Sequence, residues 1–169
     1  MSLKSTPPII RLRKSHPREQ RLLSNEQSCY LAEASLVVEL AFSLSGSSSP
    51  VRCVRIINEF RHPSGQVDMV GVNGAGRVLA FEAKLNNWRK ALHQAYRNTA
   101  FAHFSYVVMP FATAGIAFRN RSEFEARGVG LLGINGPRCS LLIEAPSTRP
   151  VLPWITAKVR STLDHAGDE

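Results

Sequence analysis

The chain has 169 residues, of which 44% are hydrophobic and 20% charged, and 21 Lys and Arg against 13 Asp and Glu give a formal net charge of +8. This balance is typical of one globular domain with a sizeable core, and no apolar run approaches the ~20 residues that a membrane span needs. The positive charge favours a polyanionic partner, usually nucleic acid, with charge for solubility alone as the alternative.

The first 23 residues are predicted to be a basic, flexible arm or irregular lead-in, with residues 24–169 forming a single α/β domain. The arm has three spaced prolines and no apolar stretch typical of a secretory signal. It could follow a phosphate backbone or remain a solvated tail. Its cations in the second half are Arg11, Arg13, Lys14, Arg18 and Arg21.

The tetrapeptide Ser24-Asn25-Glu26-Gln27 resembles a capping box and predicts an amphipathic helix that runs to about Leu44. Glu33 interrupts the core-facing side of this helix. An ordinary boundary glutamate with its carboxylate in water is one interpretation of this position. A strand is predicted to follow over residues 51–60.

The stretch 65–85 predicts a β-hairpin, because two apolar, β-branched runs flank Asn73-Gly74-Ala75-Gly76. Side chains alternate along a strand, so Glu82 and Lys84 face one way and the apolar residues between and beside them face the other. Asp68, on the partner strand, can face the same side if the register allows. The alternative is an exposed ion pair on an edge strand.

Two such carboxylates suit a hard divalent cation, and a lysine two residues from the second acid can orient a water or stabilise charge on a phosphate. The three cysteines, Cys29, Cys53 and Cys139, are far apart and lack metal-ligand spacing. We therefore expect neither a disulfide framework nor a zinc site. A reducing cytoplasm is the expected location.

Downstream, alternating apolar patterns and turn residues predict three helices and three strands. Their order predicts an α/β fold: a central mixed β-sheet flanked by helices on both faces. The predicted elements are a helix capped at Asn86-Asn87, strand 105–110, helix 118–127 ended by Gly128, strands 129–134 and 138–144, and a terminal helix over 154–165.

Asp68, thirteen intervening residues and Glu82-Ala83-Lys84 resemble the motif of the PD-(D/E)xK nuclease superfamily. With the order of elements included, the resemblance covers roughly residues 24–145. Val67 stands where a proline often precedes the first acid, a position at which the superfamily is permissive. The resemblance implies a restriction-endonuclease-like core.

The resemblance also implies a Mg²⁺-dependent nuclease, with Mn²⁺ able to substitute, that hydrolyses phosphodiester bonds. Asp68, Glu82 and the backbone carbonyl of Ala83 would hold the metal, and Lys84 would position or activate the attacking water. In the superfamily a helix before the sheet often contributes a further acid, for which Glu33 is the candidate, ahead of Glu26 and Glu39. We expect an endonuclease that acts on DNA rather than RNA. The sequence itself leaves DNA or RNA, and endo- or exonuclease, open.

Several branches of the superfamily carry a glutamine beside the active site, on the helix after the motif strand, and Gln94 matches that position. The fuller Q-x-x-x-Y pattern is broken because residue 98 is Asn, and a solvated helix face is the alternative for Gln94. Glu59, on the first strand, is a second-rank candidate for the acid cluster.

Two other functions are alternatives to the nuclease. Several superfamily branches have lost catalysis, so the first rival is a silent nucleic-acid-binding module of the same fold. The second is a basic α/β protein whose partner is another protein. Small resolvases of the superfamily act as dimers, which makes a homodimer a further expectation.

Overall fold

The computed structural model of the protein describes residues 9–11 and 32–165. These residues form one sheet whose seven strands lie side by side in chain order: β1 (Ile9–Arg11), β2 (Arg55–His62), β3 (Gly65–Val72), β4 (Val78–Ala83), β5 (Phe104–Pro110), β6 (Gly130–Asn135) and β7 (Arg138–Ile143). The helices of the same residues are α1 (Glu33–Ser45), α2 (Trp88–Asn98), α3 (Phe111–Phe118), α4 (Arg121–Arg127) and α5 (Pro153–His165).

The sheet is mixed, as predicted. Strands β2, β3 and β4 form an antiparallel meander, and β1 pairs with β2 in parallel. Helix α2 then crosses to β5, which pairs with β4 in parallel, and α3 and α4 lead to the parallel strand β6. Strand β7 returns antiparallel beside β6.

Helices cover both faces of the sheet, which confirms the predicted α/β class. On one face, α1 packs Leu36, Leu40 and Leu44 against a cluster that includes Met69 and Phe81. The opposite face carries two clusters, one under α5 and one under α2, α3 and α4. None of the helices in residues 32–165 combines the length and the apolar character that crossing a membrane requires.

The first helix starts later than its predicted boundary at residue 24. Ala32 has an extended backbone, with φ −151° and ψ 155°, and α1 begins at Glu33. The predicted capping box and Glu26 lie outside the described residues. The bulk of the predicted arm lies outside them too, but residues 9–11 within it form β1 and pair with Arg55–Ile57.

The segment after Pro110 also differs from its prediction. The sequence predicts one helix over residues 118–127, whereas α3 begins directly after Pro110 and α4 follows it. Gly128 ends α4 with φ +63°, the left-handed cap that was predicted. Strand β2 likewise begins at Arg55 instead of residue 51.

Strand β2 changes face at Glu59. Ile57 and Phe60 both pack in the cluster under α5, although two residues three apart lie on opposite faces of a regular strand. Glu59, between them, has φ +53°, a left-handed conformation that a residue with a Cβ seldom adopts. After this switch His62 also lies on the α5 side, with 5.3 Å between its ring centroid and that of Phe101.

Candidate active site

The site lies at the point where β3 and β4 separate. Met69 and Phe81 are the last paired residues of this ladder, and Asp68 and Glu82 come next on the two strands. The Oδ2 atom of Asp68 accepts a 2.8 Å hydrogen bond from the backbone N–H of Ala83. The carboxylate thus takes the place of a main-chain acceptor, which fixes it beside the end of β4.

Glu82 is the buried acid of the site, with 1% of the residue exposed. Its Oε1 atom accepts a 2.8 Å hydrogen bond from the side-chain Nδ2 of Asn98, at the end of α2. Its Oε2 atom is buried and has no hydrogen-bond partner among residues 9–11 and 32–165. A buried carboxyl oxygen without a partner is costly while the group is ionised, and either a proton or a bound cation removes that cost.

The electrostatics of Glu82 follow from this burial. Burial, then the negative charge of Asp68, and to a smaller extent a side-chain interaction between the two carboxyl groups raise the pKa of Glu82 to about 8, while the hydrogen bond from Asn98 and the charge of Lys84 act in the opposite direction. A cation between the two carboxylates would favour the charged form of Glu82 and so oppose this increase. The donor set, two carboxylates and a nearby carbonyl, is the kind that Mg²⁺ or Mn²⁺ accepts.

Lys84 lies between the acids. Its Nζ atom is 2.7 Å from Oε2 of Glu33 and 4.0 Å from Oδ2 of Asp68, and it donates a 2.9 Å hydrogen bond to the carbonyl oxygen of Ala83. The Lys84 side chain is 12% exposed and that of Glu33 is 47% exposed. Helix α1 therefore brings Glu33 to the site as the partner of the lysine.

The structure thus brings together the five residues predicted for the metal and for catalysis at the hairpin: Glu33, Asp68, Glu82, Ala83 and Lys84. In the part of the chain that the structure describes, however, no three acidic, histidine or cysteine side chains gather closely enough to hold a metal ion. The residues that fit a cation are Asp68 and Glu82 with the Ala83 carbonyl, and Glu33 is turned to Lys84.

A cavity of about 350 Å³ opens beside Glu82. Its walls come from the tip of the β2–β3 hairpin, from α2 and from the start of α5. The residues that line it are His62, Ser64, Gly65, Gln66, Glu82, Gln94, Arg97, Asn98, Phe101, Leu152 and Ile155.

Gln94 reaches this cavity from α2, one turn before Asn98. Its Oε1 atom is buried and finds no hydrogen-bond partner within the described ranges. Gln94 therefore lines the same cavity as Glu82. Its neighbour His93 is exposed, and Tyr96 is 50% exposed.

Asn98 is a site residue that the sequence did not identify. In the sequence, Asn98 stands out only as the residue that breaks the Q-x-x-x-Y pattern. The available signal was its position: Asn98 lies seven residues after Ala91 and three after Ala95 on the buried face of α2, and it is 4% exposed. A buried amide on an apolar helix face needs a partner, and that partner is Glu82.

The other acids that were candidates for the metal site are Glu39, Glu59 and Glu26. Glu39 is partly buried on α1, six residues after Glu33, and Glu59 is partly buried on β2 with the left-handed backbone described above. Glu26 lies outside the described residues.

Comparison with known proteins adds the fold alone. No protein-family model matches the chain, and no curated protein matches it. Among solved structures, the chain is similar to a protein of unknown function from Silicibacter pomeroyi, with a TM-score of 0.50 and 16% sequence identity over 68% of this chain and 75% of that chain.

Proposed function

We propose that the protein is a metal-dependent nuclease that hydrolyses phosphodiester bonds, with a restriction-endonuclease-like core and a site formed by Asp68, Glu82 and Lys84. The observation that carries the proposal is the convergence of these side chains where β3 and β4 separate, with a buried Glu82 oxygen that has no hydrogen-bond partner in the described part of the chain. The spacing of the same residues resembles the PD-(D/E)xK motif, which supports the same reading.

In this proposal Asp68 and Glu82 hold Mg²⁺ or Mn²⁺, together with the carbonyl oxygen of Ala83. When bound, the metal would stabilise negative charge on the phosphate and lower the pKa of a water. The Ala83 N–H fixes the Asp68 carboxylate, and Asn98 fixes that of Glu82. The Lys84 ammonium donates to the attacking water or to a phosphate oxygen, and Glu33 holds it near Asp68.

Nucleic acid is the proposed substrate, DNA before RNA. Arg89 and Arg97 project from α2 as exposed cations, and Arg97 also lies at the cavity. Together with a net charge of +8 they would attract a phosphate backbone, and binding should weaken steeply with salt. Endonucleolytic cleavage and a homodimer are finer parts of this proposal, to be checked with circular substrates and by sedimentation.

The test is a cleavage screen with Mg²⁺ and with Mn²⁺ over linear, circular, single-stranded and branched DNA and RNA. We expect metal-dependent cleavage of at least one substrate, abolished by EDTA and by Lys84→Ala. The matched control is Lys90→Ala, which removes an exposed lysine of α2. Equal cleavage by the Lys84→Ala protein would refute the assignment.

The second candidate function is a nucleic-acid-binding module without catalytic activity, and one contact favours it. The Lys84 ammonium donates to the Ala83 carbonyl, the same oxygen that the nuclease proposal gives to the metal. In the module, Lys84 would keep that place permanently. Calorimetry with millimolar Mn²⁺ separates the two, because the module predicts no heat of binding and no difference between the natural protein and Asp68→Asn.

A further inference from the structure

We infer that the cavity beside Glu82 holds one unstacked nucleotide of the substrate, so that the protein acts next to an unpaired nucleotide and not within an intact duplex. This inference rests on the proposed function and deepens it, because it names the substrate class. It is carried by the size of the cavity, the imidazole of His62 in its wall, a buried Gln94 oxygen that has no partner among the described residues, and an arginine hydrogen-bonded at its rim.

The size of the cavity suits a single compact ligand group. Its volume of about 350 Å³ lies at the lower end of the ~300–1,000 Å³ that ligand pockets span. Glu82 belongs both to the acid pair and to the cavity wall. A phosphate at the acid pair would therefore place an adjoining nucleotide at the cavity.

The wall formed by the hairpin tip carries the imidazole of His62, which is held against two buried phenylalanine rings. The ring of His62 stacks on that of Phe60 with 6.0 Å between centroids, and it lies 5.3 Å from the ring of Phe101. Leu152 and Ile155 complete an apolar wall. Unstacked bases bind to surfaces of this kind, because every base has a π-face that aromatic and apolar side chains can cover.

Gln94 supplies the polar group of the cavity. Its Oε1 atom is buried and lacks a partner in the described chain, whereas the neighbouring Asn98 amide is committed to Glu82. A side-chain amide offers both an acceptor and donors, which matches the edges of the bases. A base that donates to Gln94 would satisfy an oxygen that residues 9–11 and 32–165 leave without a hydrogen bond.

Arg97 is positioned for the phosphate of the same nucleotide. Its Nη2 atom donates a 2.7 Å hydrogen bond to the carbonyl oxygen of Ser64, which ties α2 to the hairpin tip. A guanidinium has five N–H donors, so this contact leaves donors for an anion at the rim of the cavity. A nucleotide would thus meet an imidazole with an apolar wall, an amide and a cation together.

Entry into such a cavity requires a base that has left its stack. Enzymes that take a base into a pocket bear the cost of unpairing, which is lowest for mismatched or single-stranded nucleotides. Single strands, overhangs and flaps should therefore be bound and cleaved in preference to an uninterrupted duplex.

A binding experiment without metal tests the cavity independently of catalysis. The full-length protein in EDTA is titrated with deoxyadenosine, with inorganic phosphate and with deoxyadenosine monophosphate, while the side-chain amide signals of Gln94 and Asn98 are followed by NMR. We expect the nucleoside and the nucleotide to shift both signals, and phosphate alone to leave Gln94 unmoved. Absence of any shift with the nucleotide, or equal shifts with phosphate alone, would overturn the inference.

Two variants localise the ligand. Ser64→Phe places a ring at the exposed mouth of the cavity, and Gln94→Leu removes the amide at similar volume; each should weaken nucleotide binding at least ~5-fold. His93→Ala, an exposed change next to Gln94, should leave it unchanged. If Ser64→Phe and Gln94→Leu bind the nucleotide as tightly as the natural protein does, the cavity is not the binding site.

A cleavage comparison then separates this inference from the proposed function. We expect a duplex with one unpaired nucleotide to be cut at least ~10-fold faster than the matched perfect duplex, with Gln94→Leu reducing that ratio. Equal cleavage rates on the two substrates would refute the preference for an unpaired nucleotide but would still be consistent with the proposed nuclease activity. Nucleotide binding without cleavage of any substrate would refute the nuclease and retain the cavity as a nucleotide site.

Discussion

The side chain of Asn98 holds Glu82 through one oxygen only. Its Nδ2 atom donates a 2.8 Å hydrogen bond to Oε1, and the second oxygen remains buried without a partner in the described residues. Helix α2 therefore orients the carboxyl group of Glu82 but gives a hydrogen bond to one of its two oxygens only. Asn98 is a positioning residue, and its contribution can be measured apart from that of Glu82.

We predict that Asn98→Leu weakens Mn²⁺ binding at pH 7 by ~10–100-fold, the usual effect of losing a group that orients a ligand. The hydrogen bond from Asn98 lowers the pKa of Glu82, so its loss favours the neutral acid, which binds metal poorly. Calorimetry should therefore show a smaller defect at pH 9 than at pH 7. Asn86→Leu, at an exposed asparagine, is the control, and a defect independent of pH would contradict the assigned role.

The raised pKa of Glu82 predicts a metal-free protein that loses stability as the pH increases. Between the ordinary value of 4.5 and about 8, the folded protein keeps the proton that the unfolded chain has released. The contribution of this group to stability is thus present below pH 4.5 and is lost as the pH rises towards 8. Thermal unfolding in EDTA from pH 5 to pH 9 should show the decrease, and Glu82→Gln should reduce it. An identical pH profile for the two proteins would exclude the shift.

Asp68 combines a structural and a chemical role that two substitutions separate. Both Asp68→Asn and Asp68→Ala should abolish metal-dependent cleavage. Asp68→Asn keeps an acceptor for the Ala83 N–H, whereas Asp68→Ala leaves that donor unpaired at a cost of about 1–3 kcal/mol. The melting temperature should therefore be lower for Asp68→Ala by roughly 2–4 °C per kcal/mol. Cleavage by either variant at the natural rate would refute the site.

Glu33 can act as a metal ligand or as the partner of Lys84, and Glu33→Gln distinguishes the two. The observed 2.7 Å contact with Lys84 predicts an unchanged Mn²⁺ affinity and a cleavage rate reduced by about tenfold through a less fixed lysine. Stability should change by at most ~1 kcal/mol, because the Glu33 side chain is 47% exposed. A loss of metal affinity equal to that of Asp68→Asn would restore Glu33 as a ligand.

The hairpin and its charges could be predicted because they depend on short-range patterns. Alternation along β4 puts Phe81 and Ala83 in the core under α1 and turns Glu82 to the other face, as predicted. The Asn87 cap of α2 was also predictable, and its side chain accepts from the Lys90 N–H. These features are set by residues within a few positions of one another.

What the sequence could not predict depends on contacts between distant segments. The pairing of Asn98 with Glu82 and of Glu33 with Lys84 joins residues 16 and 51 positions apart. Helix α3 was missed because Pro110 looks like a strand end alone, whereas it ends β5 and also precedes the first turn of the helix. The start of α1 at Glu33 could not be predicted because Ala32, the residue before it, has no side chain that could cap the helix.

The left-handed backbone at Glu59 determines which side chain of β2 lies at the cavity. Without that one torsion, the strict alternation of β2 from Ile57 onwards would present Arg61 on the α5 side and send His62 to the opposite side of the sheet. A guanidinium would then stand where an imidazole now lies against Phe101. Glycine at position 59 would hold the same rotation without the crowding of a Cβ, so the direction of His62 depends on the backbone conformation at this position and not on the glutamate side chain.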